Sequence, residues 1–165
     1  MDLAKGQVGI TGARILGMLY LLRYWAAALA DPVDEPTTLF IDDAGSFSSV
    51  PLAAILSEGR KFGLGVVMAH QYMSQLQGGL GEAVQGSVAT RRMFRVGTED
   101  ATALATSTAP EFSPLDLAGL PQFFAAARLA TSGTPLRPFT VEVDYNRVAT
   151  PRPDAVAAEQ VIRTR

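Results

Sequence analysis

Leu39-Phe40-Ile41-Asp42-Asp43, preceded by Thr37-Thr38, is a short run of strand formers that ends in two adjacent carboxylates. Apolar side chains in unbroken succession, without polar alternation, predict a strand of a parallel sheet buried on both faces. Asp42 and Asp43 then fall just beyond its carboxyl end, where open α/β sheets bind their ligands.

Upstream, Ile15, Met18, Leu19, Leu22, Trp25, Ala26 and Leu29 recur every three or four positions and predict a helix over 11–30 with these residues inward. Asp31-Pro32 closes it, and a turn-rich stretch to Pro36 leads into the strand. Downstream, Pro51 suits the first residue of a helix reaching about Lys61, with Leu52, Ile55 and Leu56 facing the core. Phe62-Gly63 ends that helix. A second apolar run, Leu64 to Ala69, is followed by His70-Gln71 and a polar, glycine-containing region to Gly86. A third run, Arg92 to Val96, precedes Thr98-Glu99-Asp100, which reads as a capped helix start with acidic residues at the positive end of the helix dipole.

Strands alternating with helices predict a parallel sheet with helices on both faces. Such a sheet sets Asp42-Asp43 and His70-Gln71 side by side. The final stretch differs, because Phe123–Ala130 and Phe139–Val143 flank Ser132-Gly133-Thr134-Pro135 and predict an antiparallel hairpin at the sheet edge. From Asn146 the composition shifts to Pro, Ala and Arg. The expected organisation is therefore an α/β domain over 1–145 and a tail with a short helix over 146–165.

Bulk properties narrow the function. With 165 residues and 48% apolar content the chain has enough material for one domain with a core. Fourteen basic against 16 acidic residues give a net charge of -2, so bulk electrostatics do not make it a nucleic-acid-coating polycation. No cysteine is present, and His70 is the single histidine, which excludes disulfides, thiolate chemistry and imidazole metal cages. Ala28-Leu29-Ala30 before Asp31 imitates a signal-peptide cleavage site, but Arg23 and Tyr24 interrupt the apolar run. The run is also shorter than the ~20 residues of a transmembrane helix. A cytoplasmic protein is expected, held at the inner face of the membrane only through segments outside this chain.

A hydrophobic strand ending in paired acids is how nucleotide hydrolases hold magnesium and orient a water. The first carboxylate acts through a metal-bound water, and the second acts on the nucleophile as base or positioner. Strand-end aspartates also cap the next helix, so both readings stand on these residues alone. Arg60, beside Gly59 and near the strand-end site, suits stabilisation of charge on a transferring phosphoryl group, or else a bond to its own helix end or to Glu58. Gln71 both donates and accepts hydrogen bonds, as a γ-phosphate sensor or water-aligning group must. His70 is better read as a packing or hydrogen-bonding residue than as a base. Arg91, Arg92 and Arg95 form a small basic cluster, which strand alternation would split between faces.

Six segments in order carry a resemblance: Asp2-Leu3-Ala4-Lys5-Gly6, LFIDDAGSF (39–47), ILSEGRKFGLG (55–65), VVMAHQYMSQL (66–76), RRMFRVGTEDATALA (91–105) and LAGLPQFFAAARL (117–129). Together they resemble the conjugative coupling ATPases of type IV secretion and, more broadly, the FtsK/HerA group of DNA translocases. The resemblance covers about residues 1–145 and implies the C-terminal part of a RecA-like P-loop NTPase core. It implies a hexameric ring that pumps DNA with ATP and Mg2+, acting beside type IV secretion or relaxosome proteins. Residue by residue, Asp42 matches the Walker B magnesium residue, Asp43 the catalytic acid, Gln71 the glutamine after the next strand, and Arg60 an arginine finger into the neighbouring subunit.

Two departures qualify the transfer. The family usually has Asp-Glu where this chain has Asp42-Asp43, which draws the acid back by about one methylene. The only lysines, Lys5 and Lys61, lie in no Gly-Lys-[Ser/Thr] sequence, so no phosphate-binding loop is present. Family members carry that loop upstream, so Met1 is expected to be an internal start, a truncated frame or one part of a split gene. The isolated chain is then expected not to hydrolyse ATP. Two other functions suit the same residues: a non-catalytic subunit that binds a ring, a protein or DNA, and a magnesium-dependent phosphatase or nuclease. The last lacks a third carboxylate on a recognisable motif.

Overall fold

The computed structural model describes residues 5–30, 35–47, 49–131 and 133–145. The chain divides into two compact units, Met1–Val88 and Ala89–Arg165. The expected tail over 146–165 lies outside the described residues.

The first unit opens with helix α1, Lys5–Ala30, interrupted at Gly9, whose φ of 71° and ψ of 165° no helix accommodates and glycine adopts without strain. Strand β1 (Thr37–Ile41), helix α2 (Val50–Glu58), strand β2 (Leu64–Met68) and helix α3 (Leu80–Ser87) follow. Strands β1 and β2 pair in parallel, Thr37 opposite Leu64 and Ile41 opposite Met68. Pro51 sits in the first turn of α2, where its missing N–H leaves no intrahelical bond unmade. Leu52 and Ile55 are buried and Leu56 is half-buried, so the expected inward face of α2 is the observed one. A 3-10 turn, Gly59–Phe62, extends α2 and ends at Gly63 in the left-handed region, φ 73°.

Two expectations for this unit fail. The inward face of α1 is not the stripe of large residues: Ile15, Met18, Leu19, Leu22 and Leu29 are exposed, whereas Ala13, Gly17, Leu21 and Ala28 are buried. The helix is apolar nearly all round, so periodicity alone could not orient it, and small side chains let its backbone approach a neighbour closely. Strand β1 is also not buried on both faces. Leu39, Ile41, Val66 and Met68 pack against one cluster built from Leu21, Ala28, Leu52, Ile55, Leu80 and Val84. All three helices contribute to that cluster, so among the described residues only this face of the sheet is covered. On the other face Phe40 is 75% and Val67 52% exposed.

In the second unit, strand β3 (Arg91–Met93) leads to helices α4 (Thr98–Ala105) and α5 (Pro114–Ala118), then strand β4 (Phe124–Arg128). Short strands β5 (Ala130–Thr131) and β6 (Thr134–Pro135) precede β7 (Phe139–Glu142). The expected hairpin is present, but in a separate three-stranded sheet rather than at the edge of the parallel one: β4 pairs antiparallel with β7, and β5 with β6 forms a small ladder at its turn. β3 does not extend a parallel series. It pairs antiparallel with the other edge of β4, Met93 opposite Ala126. Met93, Ala101, Ala105, Leu117, Leu120 and Ala126 form a separate core. Gly97 rather than Thr98 occupies the N-cap of α4, and Glu99 and Asp100 lie in its first turn as expected.

Candidate functional site

The parallel ladder carries both chains of residues to one end of the first unit. Beyond the Ile41–Met68 pair, the Ala69 N–H donates to the Ile41 carbonyl at 2.9 Å and the Ala44 N–H donates to the Ala69 carbonyl at 2.8 Å. The loop after β1 and the loop after β2 are thus hydrogen-bonded neighbours about one strand spacing, ~4.8 Å, apart. Asp42-Asp43 and His70-Gln71 share this end, as their positions beyond two adjacent parallel strands predict.

The acidic pair is shaped by its own turn. The Asp42 carboxylate accepts the Asp43 backbone N–H at 2.9 Å and is exposed. Asp43 is held at φ 52°, a left-handed conformation uncommon for a side-chain-bearing residue and tolerated best by Asn and Asp. Its carboxylate accepts the Ser46 hydroxyl at 2.7 Å, and the Asp43 carbonyl accepts the Ser46 N–H at 2.9 Å. A 3-10 turn over Ala44–Phe47 continues from there. Ser46 was not singled out from the sequence, although a hydroxyl three residues after a strand-end Asp is a recognisable local signal.

Gln71 is exposed on the loop beyond β2, and the Gln75 side-chain oxygen accepts both the Gln71 and the Tyr72 N–H at 3.3 Å. His70 is half-buried, with Nδ1 sealed from solvent and without a hydrogen-bond partner among the described residues, which suits a packing role better than a proton-transfer one.

Arg60 is elsewhere. It lies in the 3-10 turn just before β2, exposed, while Asp42-Asp43 and Gln71 lie beyond the opposite ends of β1 and β2. Five strand residues at ~3.3 Å each put roughly 17 Å of sheet between them. The expectation that Arg60 is near the strand-end site is therefore corrected: a helix running antiparallel to the strands returns its last turn to the far edge. Glu58 contacts Lys61 at 3.8 Å, not Arg60, in an exposed pair of little energetic weight.

In the second unit Arg91 is half-buried opposite Arg128, and burial, then the Arg128 charge, lowers its pKa. Arg92 and Arg95 are exposed. Only Arg91 and Arg92 fall within the strand, so the three arginines form no single stripe along it.

For a magnesium ion the donor set at Asp42-Asp43 is of the right kind, hard carboxylate oxygens at an exposed strand end. Among the described residues no group of three or more His, Cys, Asp or Glu converges on a metal position. One or two carboxylates suffice where water and phosphate oxygens complete an octahedron, so these residues are compatible with Mg2+ held together with a nucleotide rather than in an all-protein cage.

Comparison with solved structures now adds a fold. The bacterial conjugative coupling protein TrwBdeltaN70, in an unbound form, matches 76% of this chain with a TM-score of 0.60 at 19% identity. The plasmid coupling protein TrwB in complex with the non-hydrolysable GTP analogue GDPNP matches 76% with a TM-score of 0.60 at 22% identity. Over the matched part, the chain has the fold of a portion of a conjugative coupling protein. It spans about a third of the length of these coupling proteins, 36% and 35%. No protein-family model and no curated protein matches it. No helix among the described residues is long and apolar enough to cross a membrane.

Proposed function

We propose that this chain is the Walker B-bearing portion of an ATP-driven DNA-translocating motor of conjugative coupling type, completed by a P-loop supplied from another polypeptide segment. The observation that carries this reading is the joining of the two strand-end loops through Ala44 and Ala69, which brings the acidic pair beside Gln71 at the carboxyl end of a parallel ladder. Asp42 would hold Mg2+, which when bound would supply positive charge to the phosphate oxygens. Asp43 orients the attacking water, and Gln71 hydrogen-bonds it or the γ-phosphate. Arg60 acts on the nucleotide of a neighbouring subunit in a hexameric ring. Its exposure and its distance along the sheet from Asp42-Asp43 support a role in trans over one in its own subunit. DNA and the secretion or relaxosome machinery are the partners such a motor serves.

ATPase measurements test this directly. The 165-residue chain alone is expected to give negligible hydrolysis, and a mixture with a P-loop-bearing segment is expected to give Mg2+-dependent hydrolysis that Asp42→Asn abolishes. Turnover by the chain alone that Asp42→Asn removes would overturn the division of the site between two segments.

One observation favours a second reading, a non-catalytic subunit that binds the ring, a protein or DNA. The Asp43 carboxylate is already engaged by Ser46 at 2.7 Å, as a turn-capping residue would be. The mixture with a P-loop-bearing segment separates the two: Mg2+-dependent hydrolysis that Asp43→Asn abolishes supports a catalytic Asp43, whereas a mixture that binds but does not hydrolyse supports the non-catalytic subunit.

A further inference from the structure

Gln75, on the loop after β2, packs against Gly45 on the loop after β1. A Cβ built on Gly45 would stand 2.6 Å from the Gln75 Cβ and 2.8 Å from its side-chain oxygen, closer than real Cβ atoms come. Gly45 is therefore the residue that lets the Gln75 side chain lie flat against the loop after β1. From there the same oxygen accepts the backbone N–H groups of Gln71 and Tyr72, each at 3.3 Å. A single half-buried amide thus packs on the loop that carries Asp42-Asp43 and fixes the backbone of the loop that carries Gln71.

We infer that Gln75 is a positioning residue, which together with Gly45 sets where Gln71 stands relative to the Asp42-Asp43 carboxylates. This inference rests on the proposed assignment of those three residues to one phosphoryl-transfer site. The physical case is that Gln71 is exposed, so packing of its own side chain does not locate it. Its backbone is located by an acceptor on a neighbouring side chain, and that acceptor is located by contact with Gly45. Removing the acceptor leaves two N–H groups to water and frees the turn, while a carboxylate in the same place accepts them at least as well.

The test uses the 165-residue chain at millimolar Mn2+, where a carboxylate pair takes up the ion weakly even without nucleotide, with Mn2+ as the paramagnetic probe and NMR broadening as the readout. In the unsubstituted chain Mn2+ is expected to broaden the Asp42 and Asp43 signals and the side-chain amide of Gln71. Gln75→Met keeps length and apolar bulk without the acceptor, and it is expected to leave the Asp42 and Asp43 broadening intact while reducing that at Gln71 several-fold. Gln75→Glu is expected to restore it. Gly45→Ala is expected to act like Gln75→Met by displacing the glutamine. Unchanged Gln71 broadening in Gln75→Met would overturn the positioning role while leaving the site assignment standing. Absence of Mn2+ broadening at Asp42 and Asp43 in the unsubstituted chain would instead remove the assignment and the positioning role with it. Should Gly45→Ala fail to fold, the Met and Glu pair decides alone, because a merely structural contact predicts equal Gln71 broadening in both.

Discussion

The two units bury their sheets to different degrees. In the second, β4 is hydrogen-bonded on both edges, to β3 and β7, and its Ala125-Ala126-Ala127 centre is almost wholly buried. In the first, the β1–β2 ladder carries the candidate site, has helices on one face, and leaves Phe40 and Val67 open on the other. Parallel sheets elsewhere are covered on both faces. The contrast separates two jobs: β4 holds a small core closed, whereas the site-bearing strands present apolar surface that nothing among the described residues covers. Two strands are also few for independent stability, so the first unit relies on its helices.

That dependence gives the largest expected effect. Leu52 is completely buried between the helices and the covered face of the sheet, so Leu52→Ala combines lost transfer energy with a cavity and is expected to cost about 2–5 kcal/mol. Chemical denaturation followed by tryptophan fluorescence measures it, because Trp25 packs against the same cluster and meets Phe62 edge-on at 5.4 Å. A loss under 1 kcal/mol would mean that this cluster does not hold the unit together. In the second unit the corresponding strain comes from filling rather than emptying. Ala126 has no accessible surface at the centre of the three-stranded sheet, and Ala126→Leu is expected to cost about 1–3 kcal/mol by overpacking. Hydrogen exchange resolved by segment would show whether that cost stays within 89–145 or also weakens the first unit.

These residues show which features were legible in the sequence. Pro51 and the spacing of Leu52, Ile55 and Leu56 predicted both the start and the inward face of α2, because a proline and a one-sided stripe leave little choice. The placement of Asp42-Asp43 beside Gln71 was equally legible, since two parallel neighbours must end together. The orientation of α1 was not, because apolar residues ring it and the buried stripe is made of the small residues Ala13, Gly17 and Ala28 with Leu21. The pairing of β3 was not legible either. Arg91-Arg92-Met93 has no pattern that distinguishes a parallel from an antiparallel partner, and its partner lies more than thirty residues on. The link between Gly45 and Gln75 depends on a contact between loops, which no local spacing encodes.

A smaller effect probes the second unit at its surface. Ser113 and Asp116 form a reciprocal cap on α5: the Ser113 hydroxyl accepts the Asp116 N–H at 3.3 Å and the Asp116 carboxylate accepts the Ser113 N–H at 2.8 Å. Loss of the hydroxyl in Ser113→Ala is expected to cost about 1 kcal/mol near neutral pH. Hydrogen bonds from the Ser113 hydroxyl and then its backbone N–H lower the Asp116 pKa below the ordinary aspartate value. A depressed folded-state pKa gives stability that is present above the ordinary value and is lost as pH falls through the folded one. The difference in melting temperature between the unsubstituted chain and Ser113→Ala should therefore shrink in acid. A gap that widens below pH 4 would contradict the charged cap.

The smallest expected effect on stability bears most directly on the contrast between the units. Phe40 projects from the uncovered face of β1 and is three-quarters exposed, at 75%, so Phe40→Ser removes little buried area and is expected to change stability by no more than about 0.5 kcal/mol. Self-association is another matter. An exposed aromatic beside Val67, on a short sheet whose outer strand edges have no partner among the described residues, invites contact with other chains. Sedimentation at increasing concentration should then show less association for Phe40→Ser, with Val67→Ser as an independent change on the same face. If Phe40→Ser instead destabilised the chain by as much as Leu52→Ala, the far face of the sheet would have to be covered within the chain itself. The distinction between a buried β4 and an open β1 would then fail.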